Sequence, residues 1–236
     1  NKGLISATAT DLAPLCGVHA KACVRKYGGK PLRTEYCHEL AVRLLAGCMA
    51  KVAAQHDIGV HFLFSHSSDH YIRVYAQIGY GAKKADDSLK SIGYVMHCFN
   101  CMHREITHQP FGCPTCHECG AKMDYAGPLW TGPIADQVFV EQIITENHAV
   151  AFRNNAKISK LLSQIKTEAN MKATYYVIDK LSGKLNLPAP SNQAFVISLQ
   201  KSGYPTVPTH FNPRGIKTEA PAMAMHKLLN ELTANK

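Results

Sequence analysis

Five of the nine cysteines lie between residues 91 and 136, and their spacing constrains the fold more than any other feature of the sequence. They form overlapping pairs with two residues between the members of each pair: Cys98/Cys101, Cys113/Cys116 and Cys116/Cys119. This spacing lets two thiolates on one tight turn reach a tetrahedral zinc ion. Four sulfurs from two such turns would close a structural metal site.

Three cysteines compete for the second pair. Cys116 and Cys119 are the better choice because Gly120 follows them, and a turn that wraps its amides around a thiolate needs the backbone freedom of glycine. Cys113 is then a spare thiol or an alternative ligand. The competing interpretation is a buried thiol cluster or disulfide bonds, but disulfides need an oxidising compartment and no secretory signal is recognisable. We expect one structural zinc ion, with four ligands: Cys98, Cys101, Cys116 and Cys119.

The segment AGPLWTGPIAD follows the cysteines and carries the single tryptophan, Trp130, between two Gly-Pro steps. Proline fixes φ and glycine relaxes it, so the pattern predicts an ordered, non-helical strap. The indole either fills the seam between two domains or stacks on a ligand. We favour the seam, since a large aromatic ring more often fills a packed interior.

Composition places the chain in the globular class, with 46% apolar and 18% charged residues. The formal charge is +9, and residues 152–236 carry +8 of it, with twelve basic side chains against four acidic ones. This asymmetry favours a polyanion partner, nucleic acid rather than a membrane surface, because no long apolar helix accompanies the charge. No run approaches the roughly 18 apolar residues of a membrane span. We expect a soluble, cytoplasmic protein with no membrane partner.

Residues 3–10, GLISATAT, are short, apolar and rich in β-branched side chains, a pattern typical of a buried parallel strand. Asp11 follows at the predicted carboxyl edge of the sheet, where open α/β folds bind ligands. Its carboxylate either caps the next turn or faces a substrate pocket.

Residues 21–36 are basic and resemble a loop, in which Arg25, Lys26 and Arg33 either contact phosphate or are simply solvated. An amphipathic helix is predicted from Thr34 onward. Residues 60–78 predict a β-hairpin, because they form two β-rich runs and the second alternates apolar and polar positions. Its turn carries a His/Asp group, for which a hydrogen-bonded turn is favoured over a metal or catalytic site: His66, Asp69 and His70.

The region beyond residue 136 predicts mainly helices. Two helices are expected over 137–166 with a break near 148–155, and another over 172–185. A further helix begins at Ser191 and stops near Gly203, and the stretch TVPTHFNPRGIKTEAP predicts strand, loop and strand before a last helix. Two helices followed by a basic two-stranded wing indicate a winged helix-turn-helix.

Several long motifs resemble, in the same order, those of the tRNA (guanine-26-N2)-dimethyltransferases, and together they span nearly the whole chain. They are TATDLAPLCG, RKYGGKPLRTEYCHELAVRLL, SHSSDHYIRVYAQIGYGA, GYVMHCFNCMHR, CHECGAKMDYAGPLWTGPI and THFNPRGIKTEAP. The resemblance implies a class I methyltransferase domain that binds S-adenosylmethionine and methylates the exocyclic amine of one guanine in tRNA. A zinc-binding segment and a tRNA-contacting domain follow it.

The implied fold is α/β: the carboxyl-terminal half of a class I methyltransferase sheet at 1–90, a zinc-binding segment and strap at 91–136, and a small α+β winged-helix-like domain that binds tRNA at 137–236. The resemblance puts the metal ligands on the four cysteines chosen above and Asp11 on the substrate side of the sheet. It also implies a tRNA-contacting set that offers hydroxyl, stacking and charged groups: Thr209, His210, Phe211, Arg214 and Lys217. Pro208 stands where the family pattern has arginine, which would remove one phosphate contact.

Three elements that methyl transfer requires are not recognisable here: a glycine-rich cofactor turn, an acid for the ribose, and an Asp-Pro-Phe-Gly type motif for the guanine amine. In the family they lie upstream of the segment that matches Gly3. Together with the start at Asn1, this leads us to expect a missing amino-terminal half and no activity of the chain alone. One hypothesis is therefore that the chain is part of a tRNA dimethyltransferase, which uses S-adenosylmethionine when it is complete. The other is a non-catalytic zinc-containing RNA-binding protein derived from such an enzyme.

Overall fold

The computed structural model describes residues 2–109, 114–150 and 152–234. Its first sheet is antiparallel and contains β1 (Lys2–Ala9), β2 (Ile58–Ser68) and β3 (Tyr71–Tyr80), with β3 in the centre. Three helices connect β1 to β2: α1 (Leu12–Leu15), α2 (Ala20–Tyr27) and α3 (Cys37–Ala54). A fourth, α4 (Ala82–Leu89), follows β3 and packs against β2 and α3.

The predicted hairpin is confirmed, because β2 and β3 pair in antiparallel register down to Ser68 opposite Tyr71. Along β3 the apolar side chains of Ile72, Val74 and Ala76 are buried, whereas the positions between them are half-exposed. This alternation follows from the two-residue period of a strand. The buried face packs against α3, whose interior positions are apolar on one side.

Two local predictions for the first part of the chain are wrong. β1 is antiparallel to β3 and mostly exposed, not a buried parallel strand. A short apolar run reports strand propensity but not the direction of its neighbour. The basic segment predicted as a loop contains α2, since lysine, arginine and alanine are good helix formers. Its glycine ends the helix: Gly28 takes the left-handed conformation at φ 66° just after Tyr27.

The second sheet has the order β5-β4-β6 and contains β4 (Ile92–His97), β5 (Arg104–Thr107) and β6 (Asp124–Trp130). The strap predicted around Trp130 forms β6 and the turn after it. The Trp130 indole is buried, meets the Phe62 ring edge-to-face at 4.7 Å, and donates from Nε1 to the Pro133 carbonyl at 2.8 Å. It fills the packed seam between the first and second sheets, as the sequence predicts.

The remaining elements are α5 (Gln137–Ala149), α6 (Asn155–Glu168), β7 (Tyr176–Val177), α7 (Ile178–Leu185), α8 (Asn192–Lys201), β8 (Thr206–Pro208), β9 (Gly215–Thr218) and α9 (Ala222–Ala234). The third sheet has the order β7-β9-β8. The predicted break between α5 and α6 is confirmed in the described residues, and so is the cap of α8, where Ser191 Oγ accepts from the Ala194 N–H at 3.2 Å.

The helix predicted over 172–185 is wrong in its first half. Tyr176 and Val177 form β7 and pair with β9, and helix α7 begins only at Ile178. Aromatic and β-branched residues fit a pleated surface when a partner strand is available. The third sheet supplies that partner, which a helical period cannot reveal.

One hydrophobic core contains residues from all three predicted domains. Phe62 of the first sheet, Trp130 of the second, and Tyr175 and Phe211 of the carboxyl-terminal region belong to the same buried cluster. A second cluster lies between α7, α8 and α9 and includes Phe195. None of the helices in the described ranges is long and apolar enough to cross a membrane.

Candidate functional site

The four cysteines chosen from the sequence come together between β4 and β6. Their sulfur atoms all lie within 4.8 Å of one another. Cys98 and Cys119 are 3.5 Å apart at Sγ, and Cys101 and Cys116 are 3.6 Å apart. A tetrahedral zinc ion with bonds of about 2.3 Å holds its sulfurs about 3.8 Å apart, so little adjustment separates this arrangement from a metal centre.

The two Cys-x-x-Cys turns have the same backbone hydrogen bonds. In the first, the Cys98 N–H donates to the His103 carbonyl at 2.8 Å and the Met102 N–H donates to the Cys98 carbonyl at 2.9 Å. In the second, Cys116 donates to the Ala121 carbonyl and Gly120 donates to the Cys116 carbonyl, both at 2.8 Å. The repeated pattern aims two sulfurs from each turn at one point.

The residue four positions after the first cysteine of each turn is left-handed. Gly120 has φ 72°, which confirms the backbone role predicted for it. Met102 has φ 62° in the equivalent position, although a side chain makes that conformation costly. Its side chain is buried in the core between the carboxyl-terminal helices, and this packing offsets the cost. Met102 could not be identified from the sequence because methionine is not a typical turn residue.

Local environment differs among the four thiols. Burial raises the pKa of the Cys101 and Cys116 thiols, which disfavours their charged forms in the absence of a cation. The Asn100 side-chain amide, 3.5 Å from Cys119 Sγ, and the Ala121 backbone amide lower the pKa of Cys119 to about 6. Cys119 is therefore the thiol best prepared to bind a metal ion as a thiolate. The alternative ligand Cys113 lies outside the described residues.

Four of the five side chains predicted to contact RNA lie in the interior. Lys217 is buried, and its ammonium lies 2.8 Å from Glu39 Oε1 and 3.7 Å from Glu168 Oε2. The Thr209 hydroxyl donates to Glu168 Oε2 at 2.5 Å, and His210 Nδ1 is 2.5 Å from Glu168 Oε1. Direct contact with tRNA through these three side chains does not fit their positions.

Phe211 is buried as well, with its ring parallel to that of Tyr175 at a centroid distance of 5.9 Å. It anchors the loop between β8 and β9 to the main core instead of presenting a face to a base. Arg214 keeps about a third of its side chain exposed, 32%. Its guanidinium is bound to Asp179 at 2.7 Å and to Asn192 Oδ1 at 2.7 Å. It is the member of the predicted set that remains accessible.

The partner of Lys217 is a buried acid on α3 that the sequence analysis did not single out. Arg43, one turn further along α3, contacts the same Glu39 oxygen at 2.9 Å. Burial raises the pKa of Glu39, but the Lys217 and Arg43 charges outweigh it and bring the pKa to about 2. Arg43 also donates to the carbonyls of Trp130 at 3.1 Å and Gly132 at 2.9 Å. The one available signal was an acid and a base four positions apart in a mostly apolar helix.

Arg104 is a second buried cation that the sequence analysis missed. Its guanidinium lies 3.7 Å from the Tyr176 ring centroid and 4.6 Å from that of Tyr36, and it bonds Glu35 at 2.7 Å. It also donates to the Tyr175 carbonyl. Arg104 thus connects β5 to β7 and to the start of α3. These contacts hold the cysteine segment against the carboxyl-terminal region.

The other sequence candidates are Asp11 and the residues of the hairpin turn, where the Ser67 N–H lies 3.4 Å from His210 Nε2. The Asp11 carboxylate bonds Lys26 Nζ at 2.6 Å, remains partly exposed and does not cap α1. At the hairpin turn, His66 Nδ1 is 2.8 Å from Ser68 Oγ, and burial lowers the pKa of His66 to about 4. Asp69 and His70 are exposed. The hydrogen-bonded turn is confirmed, and these residues form no metal-binding group in the described part of the chain.

Comparison with known proteins agrees with this architecture. The family of N2,N2-dimethylguanosine tRNA methyltransferases matches residues 1–230. The tRNA (guanine(26)-N(2))-dimethyltransferases of Methanobrevibacter smithii and Methanothermobacter thermautotrophicus are 39% and 40% identical to this chain, over 98% and 93% of its length. A solved structure of Trm1 from Pyrococcus horikoshii with S-adenosyl-L-methionine has a TM-score of 0.87 and 32% identity, and the match covers 97% of this chain.

The fold and the matched residues define a tRNA-modifying methyltransferase architecture, as the sequence resemblance implied. The chain belongs to the N2,N2-dimethylguanosine tRNA methyltransferase family. It spans about 60% of the length of the curated relatives named above, 60% and 58% respectively, and 59% of the solved Trm1 chain.

Proposed function

We propose that this chain works in a tRNA (guanine-26-N2)-dimethyltransferase, which transfers methyl groups from S-adenosylmethionine to the N2 amine of guanine 26. The observation that carries the proposal is the likeness over 97% of the chain to a Trm1 solved with S-adenosyl-L-methionine. The named relatives are all dimethyltransferases, which favours the enzyme over a non-catalytic RNA-binding descendant.

The described residues do not themselves form a recognisable S-adenosylmethionine site. Such a site is built at the carboxyl ends of parallel strands, where a glycine-rich turn meets the cofactor. The strand pairs of the three described sheets are antiparallel. The chain therefore supplies the closing hairpin of the catalytic sheet, the cysteine segment and the tRNA-binding region, and is inactive alone.

The cysteine group fits a structural zinc ion. Four thiolates fill a tetrahedral coordination sphere, leaving no position at which the ion could activate water. Its role is to hold the two turns together, and with them Met102, His103 and the start of β5. Free thiols in this arrangement suit a reducing compartment, which agrees with a cytoplasmic location.

The carboxyl-terminal region, residues 137–236, is the proposed tRNA-binding domain. The order α7, α8 and the β8–β9 pair supports a winged helix-turn-helix. Because Lys217 is buried, phosphate contacts fall to exposed cations on the surface of this region: Arg153, Lys157, Lys160, Lys180 and Lys201. Arg214 is the remaining candidate from the predicted set.

A fusion tests the proposal. The part of the Methanobrevibacter smithii relative that this chain does not match is joined to this chain, and methyl transfer from labelled S-adenosylmethionine is measured. The fusion should methylate a tRNA with guanine 26 and leave its adenine-26 counterpart unmodified. The 236-residue chain alone should show no saturable cofactor binding in calorimetry.

Three results would contradict the proposal. A fusion that binds both the cofactor and tRNA without methyl transfer would favour the non-catalytic alternative. Equal methylation of the guanine-26 and adenine-26 tRNAs would refute the target position. Saturable binding of S-adenosylmethionine by the unfused chain would show that the division of roles between the two halves is wrong.

A further inference from the structure

Two histidines and two glutamates form a polar cluster beside the cysteine centre: His103, Glu105, His117 and Glu118. His103 and Glu105 lie at the start of β5, and His117 and Glu118 lie in the second Cys-x-x-Cys turn. The cluster lines a cavity of about 470 Å³ that also reaches Lys172 and Glu219. It is a group distinct from the four cysteines, and the proposed methyl transfer assigns it no role.

The His103 imidazole is the unusual member. Its side chain is nine-tenths buried, and its Nε2 atom has no hydrogen-bond partner among the residues that the structure describes. A buried, unpaired polar nitrogen costs free energy that an apolar side chain of similar size would avoid. Glu105 Oε2 is the acidic atom nearest to this nitrogen, at 3.9 Å, too far for a hydrogen bond. A metal ion bound by both atoms would explain why they face each other at 3.9 Å.

His117 provides a third donor atom beside His103 and Glu105. Its Nδ1 atom lies 4.0 Å from the same Glu105 oxygen, and the two imidazole centroids are 4.4 Å apart. The three donor atoms all lie within 4.8 Å of one another. A tetrahedral ion with bonds of about 2.0 to 2.2 Å needs its donors about 3.4 Å apart. Small rotations of Glu105 and His117, whose side chains are 36% and 65% exposed, would close the difference.

Glu118 lies on the opposite edge of both rings. Its Oε1 atom is 3.9 Å from His103 Nδ1 and 3.8 Å from His117 Nε2, so a shift of about 1 Å would bring it to the hydrogen-bonding distance of either ring. A histidine that binds a metal commonly directs its other ring nitrogen at a carboxylate, which fixes the orientation and tautomer of the ring. Glu118 is held in place by the Met223 N–H of α9, which donates to its other oxygen at 3.3 Å. Glu105 thus faces His103 Nε2 and His117 Nδ1, the proposed metal-binding nitrogens, and Glu118 faces the other nitrogen of each ring.

We propose that His103, Glu105 and His117 bind a divalent transition-metal ion of the zinc type, oriented by Glu118. Two imidazoles and a carboxylate suit zinc and its neighbours, whereas magnesium and calcium prefer oxygen ligands alone. Three protein ligands leave at least one coordination position for water or a small anion from the cavity. Bound there, the ion joins β5 to the second cysteine turn and so reinforces the cysteine centre.

Zinc titration of the tag-free 236-residue chain tests this site. The protein is first loaded with one equivalent of zinc, confirmed by metal analysis, and then titrated with zinc in a calorimeter. A second equivalent should bind, and a hundredfold excess of magnesium should not displace it. His117→Ala and Glu105→Gln should weaken this second binding at least tenfold and leave the first equivalent in place. Glu118→Gln should weaken it about tenfold.

His56→Ala is the matched control, since His56 is exposed and distant from the cluster in the sequence. Its second binding should equal that of the unmodified chain. Cobalt gives an independent readout: the first equivalent should produce thiolate charge-transfer absorption, and the second should add none.

The proposal is overturned if the unmodified chain binds no second equivalent, or if His117→Ala binds it as tightly. It is also overturned if the second cobalt equivalent increases the thiolate absorption. In that case the ion occupies the other sulfur-containing group, formed by Cys16, Cys37 and His38.

Discussion

Lys217 Nζ lies 2.8 Å from Glu39 Oε1, and both side chains are almost completely buried although the residues are 178 positions apart in sequence. The pair joins β9 to α3. Through Arg43, which shares the same carboxylate, it also reaches the backbone of Trp130 at the end of β6. A charge in the interior needs a partner. The carboxyl-terminal region therefore depends on this contact for its position against α3 and the first sheet.

Replacing Lys217 by alanine should destabilise the protein by about 3 to 5 kcal/mol, because it removes one of the two cations that contact the buried Glu39 carboxylate. Urea unfolding measures the loss. For the folded fraction, the salt dependence of the proposed tRNA binding should not change, since the Lys217 ammonium is buried against Glu39.

Lys160→Ala is the comparison, at an exposed position on α6. Its stability should change by no more than about 0.5 kcal/mol. If Lys160 contacts a phosphate, the slope of log affinity against log salt should flatten by about 0.7 to 0.9. A stable Lys217→Ala variant with a flatter slope would contradict the buried role.

Stability should fall in acid partly through Glu39. Its pKa is about 2 in the folded protein, below the ordinary value of 4.5. Ionised Glu39 therefore favours the folded state above about pH 4.5, and that contribution is lost as the pH falls towards 2. Urea unfolding between pH 6 and pH 3 should show a smaller loss of stability in Glu39→Gln than in the unmodified chain, although the variant is less stable at pH 6. If the free energy of unfolding fell equally with pH in both proteins, Glu39 would not be the cause of the loss of stability in acid.

Gly47 permits the close approach of α3 to β6. A Cβ atom there would lie 2.9 Å from the Trp130 backbone nitrogen and 3.0 Å from Leu129 Cα. Gly47→Ala should therefore destabilise the protein by about 1 to 3 kcal/mol, even though alanine favours helix. Gly183→Ala in α7 is the control, because a Cβ there meets nothing within 4 Å. Gly183→Ala should raise the melting temperature. If Gly47→Ala raised it as well, the close packing of α3 on β6 would be refuted.

Phe211→Ala should lower stability by about 3 to 5 kcal/mol, the usual cost of removing a buried aromatic ring. Its ring stacks on Tyr175 inside the main core. The exposed Phe152 provides the control, and Phe152→Ala should leave the melting temperature nearly unchanged. If Phe211→Ala melts normally but loses tRNA affinity, the ring stacks on a base instead.

Zinc content should depend on Cys119 and not on Cys48. Cys119→Ser removes one of the four converging sulfurs, and metal analysis should find that the cysteine centre no longer retains its ion. Cys48→Ser, on α3 and outside the group, should keep it. Cys113→Ser should also keep it. Retention in Cys119→Ser together with loss in Cys113→Ser would show that the second pair was chosen wrongly.

Several features followed from the sequence alone because they depend on neighbours in the chain. The spacing of the Cys-x-x-Cys pairs, the left-handed Gly120, the alternation along β3 and the Ser191 cap are local geometry, which nearby residue types specify. The order of long motifs was sufficient to indicate the family, which the matches over residues 1–230 confirm.

Other features were decided by the tertiary structure. The sequence showed Lys217, Thr209 and Phe211 as a basic, hydroxyl and aromatic set suited to RNA, but each has a buried partner elsewhere: Glu39, Glu168 and Tyr175. The type of a side chain determines which contacts it can make, but it does not determine whether water or protein provides the partner. Only the folding of α3 and α6 against β9 brings those acids to Lys217, and burial then turns a candidate phosphate ligand into a structural ion pair.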